Sequence, residues 1–327
     1  MRHRSNTAIT SGLALFVCQL LLVFQFQTIH AQAAAAQEAQ TPDYTMATVG
    51  GHEILFSRVE RHVRQTIGDR DVSDQQRRAL QAVALQKLVK REIVNHFFDV
   101  RKFNVAKSQI RFEVDLLTAN LETVGQTLDE FLSKDNRTQK DLDREISWKL
   151  RWKKYLDKHL TEEALQTYFD RNRKKFDGTE VKVAQILFAL PENSDNTAST
   201  LEASKKVLEK IRAGELTWKA AVESHSIAES TNNGGVVGWI RYREPMTPEF
   251  SQAAFSLEPG QIAEPFSSRF GIHLVKCLEV KAGSAELGDV RGEVQSAAAR
   301  DLFEQIADRH QTEVTVEIVP GRKPSER

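Results

Sequence analysis

The hydrophobic period of this chain changes once, at Glu180, and that change constrains its fold more than any other feature. Upstream, apolar residues recur three and four apart. The run that opens at Ser73 puts Leu80, Ala84, Leu88, Val83, Leu85, Val89, Ile93 and Phe97 on one wide stripe, which predicts a long amphipathic helix. Ser73 and Gln76 have the spacing of a capping box at its start. Further helices are predicted at 107–124, 127–134 and 138–159, and over "TEEALQTYFDRNRKKF" with Thr161 as its cap. Only "MATVGGHEILF" breaks the pattern, as a strand pair around Gly50-Gly51 before a helix starting near Ser57. From Glu180, "VKVAQILFAL" alternates with period two. A polar loop, "PENSDNTAST", then leads to a helix at 198–213 that stops at Gly214, a short helix "TWKAAVESH", a glycine-rich segment, a helix at 248–257 and a last strand, "FGIHLVKCLEV". The fold class is therefore α+β: a helical block over 44–176 and a compact sheet-containing domain over 178–282. The remainder, 284–320, returns to the helical style, with Val290, Val294, Ala297, Ala298, Leu302 and Ile306 on one stripe, and is expected to fold back on the first block.

The amino terminus is of another kind. "MRHR" is a basic start, Leu13 to Phe26 an apolar run, and "HAQAAAAQEAQ" a small-residue tail, the layout of a secretory signal peptide over 1–33, followed by a linker at 34–43. The apolar run falls short of the roughly 20 residues that span a bilayer. An uncleaved anchor is the competing reading, and it is the only route to a membrane that the sequence offers. Val17 before Cys18 is not the small residue expected before a lipidated cysteine. With the leader gone, Cys277 is the single cysteine left, so no internal disulfide supports the core. It lies in an apolar strand and reads as an inert buried thiol. Lys+Arg and Asp+Glu are both 45, so no basic field argues for nucleic acid as a partner.

The glycine-rich stretch "NNGGVVGWIRYREPMTPEF" carries the chemistry. It lacks the lysine and the following helix of a phosphate loop. No metal-ligand spacing occurs among the nine histidines and two cysteines, and no Gly-x-Ser-x-Gly elbow exists, so neither a metal nor a cofactor is expected. Three glycines within five residues followed by Met246 and Phe250 at i, i+4 instead suggest a tight backbone beside an apolar pair on one helix face. Simple core packing reads the same pair equally well.

From Thr161 to Lys281 the ordered pieces "VAQILFAL", "GELTWKAAVESHSIAESTNNGGVVGWI" and "MTPEFSQAAFSLEPGQIAEPFSSRFGIHLVK" resemble the parvulin (PpiC-type) family of peptidyl-prolyl isomerases. The whole layout, with an exported helical block and a carboxy-terminal return, is loosely similar to periplasmic chaperones of the SurA type. The resemblance implies a small antiparallel sheet and a proline pocket floored by Met246 and Phe250, with Val237 and Trp239 beside it. It also implies a polar frame in which His273 is the histidine of the last strand and Ser268 the hydroxyl that bonds it. Two positions depart from the family. Gln185 stands where the first strand carries a histidine, and it exchanges hydrogen bonds but not protons. Ala228 stands where a polar Asp or Cys is usual.

Three functions arise as expectations: an exported isomerase and folding chaperone with weakened catalysis; a non-catalytic holdase that uses a degenerate parvulin domain to hold peptide; and, if the leader persists, a membrane-tethered scaffold. In each the partners are unfolded or proline-containing polypeptides.

Overall fold

In the computed structural model, the residues described are 43–319 except 136, 191–196 and 244. The predicted leader, nearly all of the linker, and most of the polar loop lie outside them. The chain divides at Tyr44, and every described helix and strand belongs to the unit that begins at Thr45. A hairpin opens it: β1 (Thr45–Val49) and β2 (His52–Leu55) join through Gly50 and Gly51, both at positive φ. A two-residue turn of that hand matches strand twist and wants glycine at both positions. Helices α1 (Phe56–Ile67), α2 (Asp74–Val100), α3 (Lys107–Thr123), α4 (Leu128–Lys134), α5 (Gln139–His159) and α6 (Glu162–Arg171) come next. Ser73, Thr127 and Thr138 close capping boxes on α2, α4 and α5, and Thr161 caps α6, so side chains satisfy the first amide donors.

The second region is β3 (Glu180–Phe188), α7 (Thr197–Arg212), α8 (Trp218–His225), β4 (Val236–Arg241), α9 (Pro248–Phe255), β5 (Phe266–Ser268) and β6 (Gly271–Lys281). Its sheet has the order β4-β3-β6-β5, all antiparallel. Two strands go beyond the elements that the sequence pattern predicts: the glycine stretch becomes β4, and "FSS" becomes β5. Alternation along β3 and β6 splits the core. Val181, Val183, Val275 and Cys277 pack with Phe250, Ala254 and Phe255 of α9 on one face. Ile186, Phe188, Ile272 and Leu274 pack with Val207, Leu208, Ala221 and Val222 of α7 and α8 on the other. Each face buries a layer of aliphatic side chains worth roughly 25 cal/mol for every Å² removed from water.

The chain then returns through α10 (Leu287–His310) and β7 (Val316–Ile318). Val294, Ala297 and Ala298 of α10 pack on Leu165 and Phe169 of α6; Ile306 and Ala307 pack on Val94, Phe97 and Phe98 of α2. Strand β7 pairs with β1, so the last strand and the first share a sheet of order β2-β1-β7. Where the chain crosses between regions, the two strands of connection are tied together. Gly283 N–H donates to Thr179 Oγ1 at 3.1 Å, Ala285 N–H donates to the Asp177 carbonyl at 3.0 Å, and Thr179 donates to Asp177 Oδ1 at 2.6 Å.

Candidate functional site

The site is built on the β3–β6 pair. Leu187 pairs with His273 across it and Gln185 with Val275, which puts the Gln185 and His273 side chains on the same face, one step apart. His273 Nδ1 lies 3.1 Å from Gln185 Oε1, and Nε2 lies 2.6 Å from Ser268 Oγ. The Phe270 amide donates to the same Ser268 oxygen at 3.0 Å. With Gln185 Oε1 accepting, the imidazole carries its proton on Nδ1, and Ser268 donates to Nε2. The chain of bonds therefore runs Phe270 N–H to Ser268, Ser268 to His273, and His273 to Gln185, leaving no ring nitrogen free. His273 is 4% exposed. Burial pushes its pKa down to about 4, against the smaller opposing pull of Glu249, so the ring is neutral near pH 7.

Aromatic rings pack against this network. Phe266, directly paired with His273 across β5–β6, stacks on the imidazole at 5.2 Å and 11°. Phe250 meets both edge-on, at 5.6 Å from His273 and 6.2 Å from Phe266. Phe266 is the site residue that no motif in the sequence singles out. A signal for it exists all the same: it lies two residues before Ser268, so strand alternation sends both side chains toward the histidine.

Met246 and Val237 pack, half-buried, against the cluster that holds Phe250. The geometry of the apolar pair differs from the expectation. Met246 precedes α9, because Thr247 is the N-cap and Pro248 the first helical residue. Met246 and Phe250 belong to one apolar cluster without sharing a helix face. Phe250 itself is 1% exposed, so its ring is part of the core, and half-buried residues of the same cluster, Met246, Val237 and Phe266 among them, reach the surface. Trp239 is placed elsewhere. It pairs with Lys182, on the face of β3 opposite Val181 and Val183, is 45% exposed, and lies 5.9 Å under the Lys182 ammonium. The irregularity at Val237 and Gly238 sets that register. Trp239 does not line the apolar site.

The glycines are explained by close approach. Gly235 has φ +81°, its carbonyl accepts from Gln185 N–H at 2.8 Å, and a Cβ there would lie 2.6 Å from the Gln185 carbonyl oxygen. No side chain fits. Beside it, the segment with Ala228 is tied to β3 through Ser226 and Ile227, which bond the Leu187 N–H and carbonyl at 3.2 and 2.8 Å. This loop and His273 thus flank β3 from opposite edges, roughly 10 Å apart at two strand spacings. Ala228 joins its own turn, its carbonyl accepting from Thr231 Oγ1 at 2.6 Å, and not the imidazole network. The four expected frame residues therefore divide: Gln185, His273 and Ser268 come together, and Ala228 does not. Two residues further on, Ser230 Oγ is buried without a partner among the described residues. No cluster of His, Cys, Asp or Glu able to hold a metal ion occurs among the described residues.

Residues 186–279 match the family model described as rotamase, PPIC-type PPIase domain. Among similar proteins, the foldase protein PrsA of Oceanobacillus iheyensis is 32% identical over 155 residues, which is 47% of this chain and 46% of that one. The chain thus spans about half the length of that relative. The chaperone SurA of Hahella chejuensis is 27% identical over 318 residues, covering 88% of this chain and 69% of its own. A crystal structure of the peptidylprolyl isomerase PrsA from Bacillus anthracis aligns over 70% of this chain and 96% of its own, at 18% identity and a TM-score of 0.38.

Proposed function

We propose, from the match of residues 186–279 to the PPIC-type rotamase model, that the protein is a peptidyl-prolyl cis-trans isomerase and folding factor that acts on exported, incompletely folded, proline-containing chains. The observation that carries the mechanism is the closed bond chain Gln185–His273–Ser268 packed against Phe266 and Phe250. Rotation about an X–Pro bond faces a barrier of roughly 18–20 kcal/mol set by amide resonance, and no covalent bond needs to break. An enzyme speeds it by binding the twisted amide better than either planar form. Here both imidazole nitrogens are already bonded, so His273 acts as a strut: it holds Ser268 and Gln185 in register and gives Phe266 a flat surface. The rate enhancement then falls to the apolar surface of Met246, Val237 and Phe266 over Phe250, which takes up the prolyl ring and strips water from the amide. Weak catalysis follows because Phe250 is covered until its half-buried neighbours move.

A second reading has its own support. On α3, Phe112 and Leu116 are 64% and 39% exposed, and Phe112 borders an open groove lined by Ser108, Gln109, Glu113 and Leu150. An apolar groove on the helical block suits a holdase that binds unfolded segments without catalysis. A proline-limited refolding assay run beside an aggregation-suppression assay separates the two: suppression with no rate above background leaves only the holdase. Export through a cleaved leader is part of the proposal, supported by the sequence pattern over 1–33. Amino-terminal sequencing of protein taken from cells tests it, and an intact Met1 in washed membranes refutes it. Among the described residues, no helix is long and apolar enough to cross a membrane.

A further inference from the structure

Four arginines gather where α1, α2 and α5 of the helical block meet, and two of them have no anionic partner among the described residues. Arg58 is paired: its Nη2 is 2.7 Å from Glu92 Oε1, and Glu92, 5% exposed, also accepts from Asn95. Arg137 is paired as well, 2.6 Å from Glu145 Oε2, while Lys149 takes the other oxygen of that carboxylate at 3.0 Å. Arg61 reaches only the Asp135 backbone carbonyl, at 3.4 Å. Arg91 has its guanidinium 5.0 Å over the Trp148 ring and no carboxylate. These contacts place the groups side by side. Asp135 is two residues from Arg137, and Glu145 and Trp148, which hold Arg137 and Arg91, are one turn apart on α5.

The Nε–H groups of Arg61, Arg91 and Arg137 are all buried, and none has an acceptor among the described residues. The Arg137 side chain is 7% exposed. Burial, then the nearby Arg58, lowers the Arg91 pKa to about 10, and burial followed by Arg137 lowers that of Arg61. Of the nearby carboxylates, Glu92 and Glu145 are already engaged by other cations, Asp141 pairs with Arg144, and Asp135 and Asp141 act on Arg61 without an ion-pair contact. Part-buried guanidinium groups with donors unused are an arrangement that gains by taking up an anion. The planar forks of guanidinium groups match oxyanions, and these three are supplied by different stretches of the chain.

We propose that Arg61, Arg91 and Arg137 form a binding site for a tetrahedral oxyanion of the phosphate or sulfate class. The same chemistry is carried by free phosphate and by a phospholipid headgroup; the buried Nε groups favour the small free ion.

The test is calorimetric titration of the full chain with inorganic phosphate, at fixed ionic strength held by chloride, beside acetate and phosphatidylglycerol vesicles. The expected result is one saturable phosphate site, with acetate at least tenfold weaker. Arg91→Met, which leaves an unbranched apolar side chain in place of the guanidinium over Trp148, should weaken phosphate at least tenfold, and Arg212→Gln, whose partner is Glu264 in the sheet-containing region, should leave it unchanged. No saturable heat, equal affinity for acetate, binding to vesicles alone, or undiminished binding in Arg91→Met overturns the assignment. If Arg91→Met does not fold by circular dichroism, Arg61→Gln decides by the same tenfold criterion.

Discussion

Lowering the pH from 7.5 to 5 should selectively loosen the rotamase domain, through one residue. His273 is neutral in the folded protein because burial holds its pKa near 4, whereas the unfolded chain titrates near the ordinary histidine value of about 6.5. A proton therefore binds the unfolded state more readily. The stabilisation is complete above about pH 6.5 and is lost as the pH falls toward 4. Between those values each pH unit removes up to about 1.4 kcal/mol, and integrating to pH 5 gives a loss of about 2 kcal/mol. The readout is hydrogen exchange of peptides covering β6 (Gly271–Lys281), compared between wild type and His273→Gln at each pH. The carboxylates titrate alike in both proteins, so the difference isolates the imidazole. The wild-type advantage in opening free energy should shrink by about 2 kcal/mol from pH 7.5 to 5. A difference that does not change with pH would show that the ring accepts a proton in place, and the account of a sealed neutral strut would be wrong.

Gly235→Ala should destabilise the rotamase domain by several kcal/mol, about the cost of a severe core clash, because the new Cβ meets the Gln185 carbonyl and the backbone sits at φ +81°; an unchanged melting temperature refutes the close approach. Ala228→Asp sits at the N-cap of the 3-10 turn Glu229–Asn233, so it should stabilise the fold by about 0.5–1 kcal/mol through capping, and raise isomerase activity only if the carboxylate reaches the site across β3. A gain in melting temperature with no gain in rate would assign the position to the turn alone. Residues 178–282 expressed alone should fold cooperatively, whereas 44–175 without α10 should aggregate or melt lower, since Val294, Ala297, Ala298, Ile306 and Ala307 complete its cores. A stable amino-terminal fragment with the melting temperature of the whole chain contradicts this.

Elements whose cause is local are legible in the sequence. Ser73, Thr138 and Thr161 announce their helices, and the alternation of "VKVAQILF" and "GIHLVKC" sorts both faces of the central strand pair, whereas the grouping of Gln185 and Ser268 around His273 is legible only through the family resemblance. The features that escape such reading depend on registers that no period reveals. Trp239 lands on the outer face because the strand slips by a residue at Val237 and Gly238. Met246 falls outside α9 because Thr247 captures the cap. Ala228 is separated from the histidine by the width of β3, a distance set by tertiary pairing of the loop with Leu187. Phe266, a single aromatic in a three-residue strand, carries little periodic signal. The arginine cluster joins residues as far apart as 61 and 145, and only folding brings them together.

In the proposed mechanism the apolar surface around Phe250, and not the polar frame, carries proline isomerisation. This is tested most directly by the cis-to-trans rate of a proline tetrapeptide catalysed by wild type, Phe250→Leu and Gln185→Ala, each shown folded by its melting curve. Phe250→Leu keeps an aliphatic core at a cost of about 1–2 kcal/mol in stability but removes the aromatic floor. Phe250→Leu is expected to lose at least tenfold in kcat/KM and Gln185→Ala less than threefold. Equal rates in wild type and Phe250→Leu, with a collapse in Gln185→Ala, would contradict the mechanism.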